Sequence, residues 1–311
     1  MLRTVTRTQG ANEALKDGTV RPRGFDFAFE EVPVLVDAFR RMVRGLEFDV
    51  SEMALTTYLV AKAHGAAFTA VPAFLVRDFH HGAILYDPDS GLRGPKDLEG
   101  RRVGVNRGYT VTTGVWARAV LSQEHGVDLD RVTWVLSGYE HVEAYRPPAN
   151  VVPMPAGSSL EEMVLSGELA AAIGVQNRSG RLRPLIEDPR QAGLTALAER
   201  GAYPINHLVV VRDELLREHP GLGVEVLTAF GRAKQLYVQR LLDGSITEPT
   251  PNDRMLRQVM DITGADPLPY GLPPNRAVLE QLMRHAVEQH ILQEPLPLDE
   301  LFAEGTRDLT F

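Results

Sequence analysis

Cysteine is absent from the chain, which excludes disulfides, thiolate nucleophiles and cysteine-ligated metal sites. Basic residues are not in excess either, since 33 Lys and Arg against 41 Asp and Glu give a net charge of −8. That balance argues against a nucleic-acid-binding surface, although it leaves room for a small anionic ligand in a locally positive site.

Long apolar runs are also missing. A membrane-spanning helix needs about 18 consecutive apolar residues, and Lys62 and His64 interrupt the best candidate. The opening residues, "MLRTVTRTQGANEALKDG", lack the apolar segment of a signal peptide. We therefore expect a cytoplasmic protein that does not associate with membranes.

Several catalytic motifs have no counterpart in the chain. There is no P-loop, no G-x-S-x-G elbow, no H-E-x-x-H pair and no EF-hand loop. The stretch "VGVNRGYT" places two glycines after a strand, but their spacing does not match G-x-G-x-x-G. Nucleotide, serine-hydrolase and zinc-protease chemistry thus has little support in the sequence.

The pattern that is present alternates short apolar strands with helices, which indicates an α/β fold. A length of 311 residues suggests about two domains. Two turn-rich stretches, "GPKDLEGRRVGVNRGYT" and "ERGAYPINHLVVVRDEL", look like crossings between them. We predict a discontinuous α/β lobe of residues 1–98 and 206–311, an inserted α/β lobe of residues 99–205, and a ligand cleft between the two.

Local patterns give several element predictions. Residues Glu52–His64 and Thr112–His125 have helical periodicity. We expect Ser51 to cap the first of these helices, with Glu52 in its first turn. The four prolines of "RPPANVVPMPAGSS" predict an extended surface loop. His80 and His81 are adjacent, so in a strand they would point to opposite faces.

Polar side chains collect at strand ends and helix starts, where ligands bind in open α/β sheets. Each also has a structural explanation, such as a cap, a core histidine or a solvated surface, and Trp116 on a helix is typical of a core residue. The candidates are Ser51, Glu52, Arg77, His80, His81, Thr110, Thr112, Thr113, His141, Asn206 and His207.

Four segments resemble a known family: "FDVSEMALTTYL", "RVGVNRGYTVTTGVWARAVLSQEHGVDL", "YPINHLVVVRDEL" and "DPLPYGLPPNRAVLEQLMRHAVEQ". Together and in this order they resemble the 4,5-dihydroxyphthalate decarboxylases. "DLEGRRVGV" and "MVLSGELAAAIG" are in turn similar to elements of the type II periplasmic-binding-protein-like fold. The chain departs from the family at two places. Val5 and Thr6 replace a Tyr-Asp pair, and His80 and Gly82 replace the arginine and the serine that flank the histidine corresponding to His81.

The resemblance implies a carboxy-lyase that acts on a hydroxylated aromatic acid such as 4,5-dihydroxyphthalate, without a cofactor or metal. On this basis we expect His81 or His207 to protonate the ring, and Glu52 and His141 to handle the hydroxyls. The remaining candidates would bind the substrate, with arginine holding the retained carboxylate. These are Arg7, Arg77, Ser51, Thr112, Thr113, Asn206 and Trp116, the last as a wall of the pocket.

Three alternatives stay open on the sequence. The first is a non-catalytic solute-binding protein for a small aromatic or anionic ligand, because the fold is shared. The second is a related enzyme that acts on another aromatic acid or on a pyrimidine-precursor phosphate. The third is a metal enzyme with a mixed N/O site from His80, His81, His141, His207 and Glu52. The expected partner is a small aromatic carboxylate, and homo-oligomerisation is left open.

Overall fold

A computed structural model describes all 311 residues of the chain. It contains eleven β-strands and ten α-helices, joined by loops and short 3₁₀ helices. The strands are β1 Leu2–Val5, β2 Phe27–Phe29, β3 Val50–Ala54, β4 Phe68–Arg77, β5 Ile84–Tyr86, β6 Arg102–Val105, β7 Thr133–Leu136, β8 Val151–Pro153, β9 Ala171–Ile173, β10 Arg183–Pro184 and β11 Ile205–Arg212. The helices are α1 Glu13–Lys16, α2 Leu35–Gly45, α3 Leu55–Ala63, α4 Thr112–His125, α5 Leu160–Leu165, α6 Pro189–Arg200, α7 Asp213–Glu218, α8 Leu222–Leu242, α9 Pro251–Thr263 and α10 Arg276–Glu288.

The chain divides into two compact units. Unit 1 comprises Met1–Arg77, Ile205–Glu280 and Leu296–Phe311, and unit 2 comprises Asp78–Pro204 and Gln281–Pro295. The first predicted boundary, after residue 98, differs from this division because β5 pairs with β9 and β10 in the sheet of unit 2. Residues 281–295 also belong to unit 2, where Gln289 hydrogen-bonds Arg118 of α4.

Unit 1 is built on a mixed five-stranded sheet in the order β2-β1-β3-β11-β4. β1 runs parallel to β2 and β3, and β11 runs antiparallel to β3 and β4. All five residues of β3 are buried, as expected of a central strand covered on both faces. β4 bulges beside β11, because His207 pairs with Val76 whereas Val209 pairs with Val71.

Unit 2 contains a six-stranded mixed sheet in the order β10-β5-β9-β6-β7-β8. Its core includes Val135, Leu160, Met163 and Ala172. α5 can pack closely on β6 because Gly104 has no side chain. A Cβ there would lie 2.7 Å from Leu160 Cδ2.

Some helix ends follow directly from local sequence. α4 spans the predicted residues Thr112–His125, and Gly126 terminates it in the left-handed conformation. α9 begins with a capping box between Thr250 and Asp253. No helix combines the length and the apolarity needed to cross a bilayer.

The prediction for the segment around Ser51 was wrong. Residues Val50–Ala54 are strand β3, and α3 begins only at Leu55. β11 pairs with all five of these residues and β1 pairs with the first two, so sheet pairing overrides the local helical pattern. Ser51 therefore does not cap the helix, and its hydroxyl donates to the carbonyl of Glu52 at 2.7 Å.

Other elements were missed. "RPPANVVPMPAGSS" is not loop throughout, because Val151–Pro153 forms β8 and pairs with β7. Helix α6 and strand β1 were not predicted either. His81 lies in a 3₁₀ helix rather than in a strand, so the argument from alternating strand faces does not apply.

Candidate functional site

In unit 1, Glu52 and His207 form a hydrogen-bonded pair across adjacent strands. Val209 pairs with Glu52 and His207 pairs with Ala54, so alternation along the strands puts Glu52 and His207 on one face of the sheet. The distance from His207 Nδ1 to Glu52 Oε1 is 2.6 Å. The other oxygen, Oε2, accepts the backbone N–H of Arg7 at 2.8 Å.

This arrangement orients the imidazole. The Glu52 side chain is 0% exposed and both of its oxygens are engaged, so the carboxylate is held in one position. It favours the tautomer in which Nδ1 carries the proton, which leaves the Nε2 lone pair for proton transfer. His207 also packs edge-to-face on Phe39, with ring centroids 5.2 Å apart, and its side chain is 19% exposed. The chemistry available to such a pair is general acid–base catalysis.

Arg77 is the last residue of β4. This strand lies next to β11, on the side away from β3. Its guanidinium Nη2 donates to Asn275 Oδ1. The amide nitrogen of Asn275 in turn donates to the carbonyls of Pro269 and Gly271, at 2.9 and 2.7 Å. Asn275 thus fixes one edge of a buried arginine. Sequence reasoning missed this contact, although Asn275 lies within the family-like string "DPLPYGLPPNR".

In unit 2, His81 belongs to a different polar cluster. Its Nε2 lies 3.1 and 3.2 Å from the two carboxylate oxygens of Glu124, and Glu124 also accepts from Arg200 at 2.5 Å. Burial acts to raise the pKa of Glu124, but the hydrogen bond from His81 and the charge of Arg200 outweigh it, and the pKa lies below its usual range. Glu124 was not predicted, because nothing in the sequence links it to a residue 43 positions away.

A small pocket borders this cluster within unit 2. Its cavity volume is about 30 Å³, which is room for about one water molecule and not for an aromatic ring. The polar and aromatic residues that line it include His81, Trp116, Gln123, Glu124, Arg200 and His285.

The loop before α4 binds a carboxylate that comes from another part of the chain. Glu140 accepts hydrogen bonds from the backbone N–H groups of Tyr109 and Thr110, at 2.5 and 3.2 Å, and from Thr110 Oγ1 at 2.6 Å. Gly108 permits this approach, since a Cβ there would lie 2.6 Å from Glu140 Oε2. His141, the residue after Glu140 in the loop that follows β7, is buried. This turn therefore shows that a carboxylate can be bound at the start of α4.

Comparison with known proteins identifies the family. A family model described as NMT1/THI5 like matches residues 46–239. The 4,5-dihydroxyphthalate decarboxylase of Comamonas testosteroni is 31% identical over 309 residues, which cover 93% of this chain and 92% of the relative. The chain belongs to the 4,5-dihydroxyphthalate decarboxylase family. A relative of the same name from Pseudomonas putida is 36% identical over 173 residues, which cover 51% of this chain and 64% of that protein.

Solved structures agree on the fold. The periplasmic aliphatic sulphonate binding protein SsuA from Escherichia coli superposes with a TM-score of 0.55. The alignment covers 98% of this chain and 92% of SsuA, at 13% identity. At that identity the likeness concerns the fold alone. It confirms the predicted α/β fold of the periplasmic-binding-protein type, and the decarboxylase relatives confirm the predicted family.

The other predicted residues of this decarboxylase family member lie as follows. Thr112 and Thr113 are the first two residues of α4, as predicted. Trp116 is buried on the same helix and packs edge-to-face on His285, with ring centroids 5.6 Å apart. Asn206 is buried in β11, where it is adjacent to His207. Their roles toward a substrate stay predictions.

Two of the predicted carboxylate ligands are placed differently from the expectation. Arg7 reaches Glu52 through its backbone N–H, while its side chain is exposed. Ser51 is buried beside Glu52 in β3, so the two side chains point to opposite faces of the sheet.

No group of three or more His, Asp or Glu side chains in the structure could hold a metal ion. The mixed N/O site considered from the sequence therefore has no donor cluster.

Proposed function

We propose that the chain catalyses the non-oxidative decarboxylation of 4,5-dihydroxyphthalate, or of a close hydroxylated aromatic acid, to give protocatechuate or its analogue and CO2. The relatives establish the coarser statement, that the protein is a decarboxylase and hence a carboxy-lyase. The observation that supports the finer proposal is the hydrogen bond between the buried Glu52 and the partly exposed His207, a pair that can transfer a proton.

The chemistry follows from the substrate. Direct loss of CO2 would leave an aryl carbanion, which is too high in energy. Instead, a proton is added to the ring carbon that bears the departing carboxylate, while the hydroxyl para to it loses its proton. The ring becomes a dienone whose carbonyl accepts the electron pair when the C–C bond breaks. CO2 leaves and the ring regains aromaticity as the phenolate.

His207 is assigned the role of proton donor to the ring carbon that bears the departing carboxylate. Its Nδ1 is occupied by Glu52, so Nε2 is the atom that exchanges a proton with the substrate. Glu52 positions the ring of His207, because both of its oxygens are already bonded and the carboxylate is held in place. This assignment modifies the expectation that Glu52 itself handles a hydroxyl. Such proton-transfer catalysis typically contributes about 10²–10⁴-fold to the rate.

Arg77 is assigned to the carboxylate that stays on the product. A guanidinium can hold two carboxylate oxygens in a fixed geometry, and Asn275 restricts the orientation of this one. His81 remains a second candidate proton donor, and His141, Thr112, Thr113, Asn206 and Trp116 remain candidates for substrate contacts. The cytoplasmic location and the absence of a cofactor are proposed with the same reaction.

The second candidate function is a non-catalytic binding protein for a small aromatic or anionic ligand. The fold shared with the sulphonate-binding protein SsuA is the observation that favours it. A catalytic assay separates the two functions, because a binding protein would bind the aromatic acid and leave it unchanged.

The decisive experiment incubates purified protein with 4,5-dihydroxyphthalate in D₂O and measures CO2 and the product. We expect CO2 release and one deuterium at the ring carbon that lost the carboxylate. 4-Hydroxyphthalate keeps a hydroxyl para to one carboxylate, so it can react. Unsubstituted phthalate has no such hydroxyl and serves as the matched negative control. Binding of these acids without CO2 release would support the binding-protein alternative instead.

A further inference from the structure

Tyr270 carries an unpaired hydroxyl in the interior of unit 1. The residue is 0% exposed, and its Oη has no hydrogen-bond partner. A buried hydroxyl without a partner is costly, and native proteins seldom leave one unsatisfied without a reason. The backbone N–H and C=O of Tyr270 are both hydrogen-bonded to the backbone of Phe311. Only the side-chain hydroxyl of this residue therefore lacks a partner.

Tyr270 lies in the same loop as Asn275, whose side chain is hydrogen-bonded to Arg77. Asn275 donates to the carbonyls of Pro269 and Gly271, the residues on either side of Tyr270, and accepts from Arg77. One amide therefore ties the backbone around Tyr270 to the guanidinium proposed to bind a carboxylate.

The loop is also fixed at its next residue. Gly271 donates to the carbonyl of Pro72 in the bulged part of β4, at 2.8 Å. Its φ is +107°, and a Cβ there would lie 2.3 Å from the carbonyl oxygen of Leu309. The position of Tyr270 is thus determined by backbone contacts on both sides, so its hydroxyl cannot easily move to find another partner.

Charges around Tyr270 determine which role its hydroxyl can play. Burial raises the pKa of Tyr270, Asp266 and Glu52 raise it further, and Arg77 acts in the opposite direction. The phenol therefore stays protonated at neutral pH and is available as a donor. Lys234 Nζ lies 5.3 Å from the ring centroid, and its charge is paired with Asp266.

We propose that Tyr270 Oη donates a hydrogen bond to the substrate carboxylate that Arg77 holds, and so helps to select an acid with a retained carboxylate. The inference rests on the proposed function, because it takes the substrate to be an aromatic dicarboxylate. Nothing in the sequence marks Tyr270 for this role beyond its place in "DPLPYGLPPNR".

The test compares Tyr270→Phe with Tyr58→Phe. Tyr58 is another buried tyrosine of unit 1, but its hydroxyl is fully used: it donates to the Leu301 carbonyl and accepts from the Ala70 N–H at 3.2 Å. Each variant loses one hydroxyl from the interior. The thermal midpoint, CO2 release from 4,5-dihydroxyphthalate and the affinity for unsubstituted phthalate are measured for both.

For Tyr270→Phe we expect kcat/KM to fall about 10- to 100-fold, as for the loss of one hydrogen bond to a charged group, with an unchanged or raised thermal midpoint. The Kd of phthalate should rise by a similar factor. For Tyr58→Phe we expect the reverse: a midpoint lower by about 2–4 °C and normal turnover. A Tyr270→Phe protein with a lowered midpoint and unchanged kinetics and phthalate affinity would overturn the inference, since its hydroxyl would then be purely structural.

Failure of the proposed function is distinguishable from failure of this inference. Wild-type protein that binds phthalate without releasing CO2 from 4,5-dihydroxyphthalate would refute the reaction. The phthalate affinities of the two variants would still decide the role of Tyr270.

Discussion

The Glu52–His207 pair gives the sharpest prediction, which is the effect of Glu52→Gln. The substitution keeps the size of the side chain and removes its charge. The two oxygens of Glu52 accept from His207 Nδ1 at 2.6 Å and from the N–H of Arg7 at 2.8 Å. Glutamine can accept only one of these bonds with its oxygen. If that oxygen faces Arg7, the amide N–H₂ faces His207 and forces its proton from Nδ1 to Nε2.

The size of the effect follows from those contacts. Losing a charge-assisted hydrogen bond costs about 1.5–3 kcal/mol of stability, and removing a buried charge offsets part of that loss. We therefore expect the variant to fold, with a free energy of unfolding lower by about 1–3 kcal/mol. Its kcat should fall by about 10²–10⁴-fold, because Nε2 then holds the only proton of the ring while Nδ1 accepts from the amide, so Nε2 cannot take up a further proton and pass it to the substrate.

The assay combines turnover with a direct view of the tautomer. CO2 release gives kcat, urea unfolding gives stability, and ¹⁵N NMR of the imidazole shows which nitrogen of His207 carries the proton. Glu248→Gln, at an exposed position, is the matched control and should change none of the three. A Glu52→Gln protein with turnover within about threefold of wild type, although the proton has moved to Nε2, would refute the assignment of His207.

Three further predictions concern the loop beside Arg77 in unit 1 and His285 in unit 2. Gly271→Ala should lower the free energy of unfolding by at least about 2 kcal/mol in urea titrations, because the added Cβ would meet a backbone oxygen at 2.3 Å. Gly264→Ala is the control. The space around that position is open, so the substitution should cost only about 1 kcal/mol. Burial lowers the pKa of His285, so the unfolded chain takes up this proton first and stability should fall as the pH drops below about 6.5. His285→Gln should flatten that slope and His219→Gln, at an exposed position, should not; equal slopes in both variants would contradict the argument. Asn275→Ala removes one hydrogen bond that orients the guanidinium at the end of β4, so KM for 4,5-dihydroxyphthalate should rise about tenfold, and an unchanged KM would remove Asn275 from the site.

Where local sequence carries its own start and stop signals, it predicted the structure well. Helix Thr112–His125 has the predicted bounds because glycine follows its last turn. By contrast, α6 was missed, although it begins with Pro189 and ends before Gly201. Its apolar positions are few and spread around the helix, so periodicity gave no signal.

The family, and with it the reaction class, was also readable from the sequence, because strings such as "FDVSEM" and "DPLPYGLPPNR" are specific when they occur together and in order. The choice among candidate site residues was not. Eleven polar positions looked equivalent along the chain, and each had a structural explanation of its own.

Tertiary structure adds pairings between residues that are distant in the sequence. Glu52 and His207 are 155 positions apart, and β3 and β11 bring them to 2.6 Å. The same pairing places the residues predicted to form the first helical turn in strand β3, because their hydrogen bonds to β1 and β11 outweigh a weak local preference for helix. The sequence by itself thus determined the fold class, the family and the helices with clear ends. The meeting of His207 with Glu52 was decided only by strand register, a long-range property that no local pattern encodes.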